Sequence, residues 1–324
     1  MKFPRATLGT RVRRRYAILE HMLANRMVGR GEQFNSLQYG YFGGGFPAAN
    51  STVDRINYSN DTLATVARGP LSVARGQLGA VGNSTFSYFG GGQTATPAIV
   101  STVDRIDYSN ETATLVAKGP LSGTRSWLAG TGSSAFGYFG GGFPAANSTV
   151  DRIDYSNDTA TLVAKSTLTV ARGELAATGS SAFGYFGGGF PAANSIVNRL
   201  DYSNDTAATV AKGPLSVARG APAATGNSSF GYFGGGFPAA NSTVDRVDYS
   251  NDTATLVAKG TLTVARGELA GLGSSSFGYF GGGFPAANST VDRVDYSNDT
   301  AATVAKGPLS VARGALAGTI HGSF

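Results

Sequence analysis

Short apolar or aromatic runs alternate with clusters of Gly, Pro, Asn, Asp and Ser along most of the chain. Residues 171–217 show the pattern in full: ARGELAATGSSAFGYFGGGFPAANSIVNRLDYSNDTAATVAKGPLSV. GELAATG is small and apolar, and AFGYFGG is aromatic. The third run, STVDRIDY at 148–155, alternates and carries β-branched residues, as does the fourth, ATLVAKS at 160–166. GSS, GGFPAAN and SND stand between them as turn signals. Each run has the length of an ordinary strand, and none shows a 3.6-residue period. The pattern predicts four antiparallel strands per unit.

That unit recurs. YFGGG begins at 41, 88, 138, 185, 232 and 279, separations of 47, 50, 47, 47 and 47 residues. The longer unit reads QTATPAIVSTVDR against FPAANSTVDR, so its three extra residues fall in a connection, where insertions are tolerated. Six four-stranded units with a period in the forties predict an all-β, six-bladed propeller over 37–324, preceded by an arm, 1–36. The ends of the chain suggest how the ring closes. ARGALAGTIHGSF (312–324) aligns with ARGELAATGSSAF (171–183), a seventh first strand with no blade of its own. The first unit lacks the usual approach to YFGGG, so the C-terminal segment is expected to pair beside Tyr39–Gly45, leaving no open sheet edge.

The arm differs in kind. It holds Lys2, Arg5, Arg11, Arg13, Arg14, Arg15, Arg26 and Arg30 against Glu20 and Glu32, which accounts for the whole net charge of +6. The remaining 18 basic and 18 acidic residues cancel. Thr10 to Val28 can form a helix with an apolar stripe of Val12, Tyr16, Leu19, Leu23 and Met27, stopped by Gly29. A stripe beside a basic run suits docking into a partner, with Arg13, Arg14, Arg15, Tyr16, Leu19 and Leu23 as contact residues; nucleic acid could be bound only through this arm. Its apolar stretch is broken by Glu20 and His21, so no signal peptide is expected, and no run reaches membrane-spanning length.

Composition closes several chemistries. There is no cysteine and there are two histidines, which excludes disulfides and thiolate metal sites and almost excludes a multi-histidine site. The triple glycine is followed by FPAANST and a further strand, with no Lys, so it reads as backbone geometry and not as a phosphate loop. Asp154 and its equivalents are expected to bond the next turn's amides, and Asp151 and Arg152 to form charge pairs; calcium at these turns is the alternative. Because such acids recur six times, they offer no asymmetric catalytic pair. Asn147, Asn157, Asn241 and Asn251 sit in glycosylation sequons but suit turn chemistry equally. Phe46, Phe143, Phe190, Phe237 and Phe284 follow the glycines on one face, either as a ring of exposed binding residues or as plugs packed on the next blade. The second unit carries Gln93 at this position, and Trp127 is the only tryptophan.

Arg172, Gly187, Gly188, Gly189, Asp201 and Tyr202, with their equivalents, resemble the kelch repeat of β-propellers, although Thr or Ala stands where that repeat has a tryptophan. The wording YFGGG, STVDRIDYSND, GPLSVAR is also similar to repeat proteins encoded by marine bacteriophages and large algal viruses. The resemblance implies a non-enzymatic, cofactor-free virion component. It would be held in a capsid, neck or tail by the arm, contacting other virion proteins and displaying the propeller to a host protein or glycan. A cytoplasmic kelch-type adaptor is the alternative, and a sugar-processing enzyme a third reading.

Overall fold

The computed structural model describes residues 38–319, and the expected arm helix lies outside them. Six four-stranded antiparallel sheets form the blades of a propeller. Blade 4 is representative: Ala176–Gly179 is innermost, followed outward by Phe183–Gly187, Val197–Asp201 and Val210–Ala211. The fourth strand is shorter than its sequence run suggested. Blade 1 takes its innermost strand, Ala317–Gly318, from the C-terminus; Phe42 pairs with Gly318 and Gly43 with Ala317. The expected closure is therefore the observed one. The three-residue insertion forms a small extra ladder, Gln93–Thr94 with Arg75–Gly76. The described residues contain no α-helix; short 3₁₀ turns, such as Tyr202–Asn204, follow some third strands.

The sequence Gly-Tyr-Phe-Gly explains how blades pack. Successive strand residues face opposite sides of the sheet, so Phe186 joins the core toward blade 3 and Tyr185 the core toward blade 5. Both are fully buried. Glycines provide the matching hollows: a Cβ on Gly187 would stand 2.7 Å from the Phe233 ring of blade 5. Burying one such pair of rings contributes roughly 3–6 kcal/mol, at about 1.5–3 kcal/mol per large side chain. The other two glycines of the triplet turn the chain, with φ of +73° at Gly188 and +121° at Gly189. Their repetition is architecture.

Charges complete the frame in three repeated arrangements. In five blades a buried Arg pairs with a buried Asp of the third strand, as Arg219 with Asp245 at 3.0 Å and Arg75 with Asp104 at 2.8 Å. Between blades, one carboxylate accepts from a Tyr and an Arg of its neighbour; Asp252 takes Tyr185 at 3.0 Å and Arg199 at 2.8 Å. At the ring closure Asp61 does the same with Tyr279 and Arg293 of blade 6. Third, Asp154 accepts the Ser156 amide at 2.9 Å and hydroxyl at 2.6 Å, which hold its carboxyl below the ordinary range. Asp151 and Arg152 thus serve within and between blades respectively, as Asp151 meets Arg125 and Arg152 meets Asp205.

Candidate functional site: the channel mouth

Just before each innermost strand stands an Arg-Gly-X-Leu segment, with Ser126 for Gly in blade 3 and Pro222 for Leu in blade 5. In blade order from 2 to 6 and then 1, X is Gln77, Trp127, Glu174, Ala221, Glu268 and Ala315. All six are left-handed, with φ between 52° and 63°. That backbone is uncommon for residues with a Cβ, and a hydrogen-bonded ring holds it here. The Trp127 amide donates to the Gln77 carbonyl, Glu174 to Trp127, Ala221 to Glu174, Glu268 to Ala221, Ala315 to Glu268 and Gln77 to Ala315, at 2.6 to 2.9 Å. This cycle surrounds the axis at one end of the channel. Because the chain runs from X into the innermost strand and returns in the second, the FPAAN loops lie at the same end.

The ring opens into a cavity of about 60 Å³ lined by the six X residues and floored by Leu78, Leu128, Leu175, Pro222, Leu269 and Leu316. A second space of about 70 Å³ continues along the axis between the Ala and Gly residues of the innermost strands. Glu174 and Glu268 are separated in the ring only by Ala221. Burial raises both carboxyls, that of Glu268 to about 7, with Glu174 acting on it in the same sense.

These two glutamates are distinctive because of where the other acids are used. Sixteen of the 18 acidic residues after residue 36 accept hydrogen bonds or ion pairs within the frame. Among the described acidic residues, Glu174 and Glu268 are the pair whose carboxylates no hydrogen bond or salt bridge engages. No group of three or more His, Cys, Asp or Glu residues among the described ones is arranged to hold a metal, and no helix among them is long and apolar enough to cross a membrane.

The phenylalanines flank this ring. Phe46, Phe143, Phe190, Phe237 and Phe284 are each half-buried. Their rings lie on Gly76, Gly173, Gly220, Gly267 and Gly314, the glycines beside the X positions of the following blade. For Phe143, a Cβ on Gly173 would come within 2.5 Å of the ring. The exception is paired: blade 2 has Gln93 in place of Phe, and the following segment has Ser126 in place of Gly. Where the ring is missing, the glycine is no longer needed. Of the remaining predicted contact residues, Arg13, Arg14, Arg15, Tyr16, Leu19 and Leu23 lie outside the described residues.

Sequence reasoning missed Gln77, Glu174 and Glu268 and singled out Trp127 only for its type. The signal was present in the column after Arg-Gly, which reads Gln, Trp, Glu, Ala, Glu, Ala between nearly constant neighbours. The six-bladed β-propeller with one chemically varied mouth is the class this fold and site define. Comparison with protein-family models finds none that matches, and no curated protein matches the chain.

Proposed function

We propose that the chain is a non-enzymatic interaction protein, a virion component anchored by its basic arm, whose propeller presents the mouth face to a host-surface protein or glycan or reinforces the particle. The observation that carries this reading is the division of labour among the acids: the frame uses sixteen, and chemical variety gathers at the mouth. The virion setting draws support from the resemblance of the repeats to kelch-like proteins of marine bacteriophages and large algal viruses, and from a net charge confined to residues 1–36. Mass spectrometry of purified particles tests it. Stoichiometric presence is the expected result; absence from particles, with recovery on a cellular protein, would establish the adaptor reading instead.

Glu174 and Glu268 favour one second reading, a sugar-processing enzyme, because two raised carboxyls in a cleft are the kind of pair such chemistry uses. Against it, acid and base roles need unlike surroundings, whereas these two occupy equivalent ring positions. A glycan panel decides: turnover that disappears in Glu268→Gln would make the enzyme reading correct.

A further inference from the structure

We propose that the channel mouth is a binding site for an organic cation, a guanidinium or primary ammonium group, held between Glu174 and Glu268 with Trp127 and Gln77 completing the ring. The inference rests on reading the mouth face as the binding face, and it does not require a virion setting.

The first support is unspent charge. Glu174 and Glu268 line the same cavity, their carboxylates form no salt bridge or hydrogen bond with any described residue, and only Ala221 stands between them in the ring. Two like charges on an apolar floor of leucines are an unfavourable arrangement for the empty protein. A cation placed between them relieves both the repulsion and the loss of hydration. The second support is the aromatic. Trp127 lines the cavity beside Glu174, and an indole face attracts a cation through its quadrupole. Gln77, next in the ring, adds an amide oxygen as a further acceptor.

The third support is size and polarity. A space of about 60 Å³ accommodates roughly four to six water-sized groups at about 10–15 Å³ each. That matches the planar head of a guanidinium, or an ammonium with its first methylenes, and falls short of a whole pyranose with its hydroxyls. The side chains also suit a donor-only ligand, since ionised carboxylates accept and never donate. A neutral sugar would want donors that the mouth supplies only through the Gln77 amide and the Trp127 indole. Lastly, blades 5 and 1 place Ala221 and Ala315 at the two remaining ring positions, both buried, so no basic side chain of the ring competes for the acids.

Trp127 is the sole tryptophan and so reports on the site directly. The full chain is titrated with agmatine, which carries a guanidinium and an ammonium, and separately with acetyl-arginine amide, at pH 8 and low salt. A saturable change in Trp127 emission is expected, with affinity reduced at least tenfold in Glu174→Gln/Glu268→Gln. Agmatine binding alone identifies a free small cation as the ligand; binding of both compounds includes arginine side chains of a partner. No saturable change with either compound overturns the proposal, as does an equal response from the double variant. A response to neutral methyl glycosides in place of the cations would overturn it in favour of the sugar reading. Near-ultraviolet circular dichroism establishes that the variant is folded, and calorimetry provides a second readout of affinity. Should particles lack the chain while agmatine still binds, the virion setting falls and the cation site stands.

Discussion

Asp245 and Glu268 belong to consecutive blades and carry the same functional group, yet the propeller treats them in opposite ways. Asp245 is fully buried, forms an ion pair with Arg219 at 3.0 Å and accepts from the Ser216 amide and hydroxyl at 3.0 and 2.6 Å. Its partners are repeated around the ring. Glu268 lies at the mouth with no partner and a carboxyl raised toward neutrality. The frame has thus spent its acids on holding blades together, and the mouth keeps two that cost stability. Acids that cost stability are what a binding site needs, because a ligand can then supply the missing interaction.

Blade 4 sharpens the comparison from within. There Asn198 replaces the aspartate, and its amide donates to Thr169 at 2.8 Å. The buried Arg172 keeps only carbonyl acceptors, such as Phe186 at 3.1 Å, and burial lowers its guanidinium to about 10. One blade therefore tolerates what the other five avoid.

The comparison can be broken at several points. Deleting 312–324 has the largest expected effect. It removes the innermost strand of blade 1, the Arg313–Asp54 pair and Ala315 of the backbone ring, so cooperative unfolding should be lost and aggregation should appear in scattering. Asp245→Asn comes next. It leaves Arg219 buried without a counter-charge and should cost about 3–5 kcal/mol in urea unfolding. Asn198→Asp performs the reverse change at Arg172 and should stabilise, on the order of 1–3 kcal/mol. Gly220→Ser places a Cβ against the Phe190 ring and should cost about 1–3 kcal/mol. Ser126→Gly, where no Phe intrudes, should shift stability by less than about 1 kcal/mol.

The smallest effect is the pH dependence of Glu268. Its folded carboxyl holds a proton up to about pH 7, whereas the unfolded one releases it near 4.5. Between these values the folded state binds more protons, so this group makes stability fall as pH rises. Glu268→Gln should flatten that slope, read as unfolding midpoints across pH 5 to 8.

Most of the frame was legible in the chain. A fixed period, aromatic–glycine alternation and a stray seventh first strand follow from packing rules that act on neighbours along a strand or one blade away. The roles of Asp154, Asp151 and Arg152 were legible for the same reason. The mouth was not, because six residues far apart in sequence meet only when the ring closes, and their left-handed backbone carries no glycine to announce it. Searching for repeated acids also directed attention away from the two that do not repeat. The phenylalanines were ambiguous in sequence, and their contact with the glycines of the next blade became visible only in three dimensions.

The central claim, that Glu174 and Glu268 are kept at the expense of the fold, is tested most directly by the thermal unfolding midpoint of Glu174→Gln/Glu268→Gln at pH 8. Removing two unpartnered, mutually repelling charges should leave the midpoint unchanged or raise it by a few degrees, at about 2–4 °C per kcal/mol for a domain near this size. A fall comparable to that of Asp245→Asn would show that these glutamates also belong to the frame, and would contradict the account.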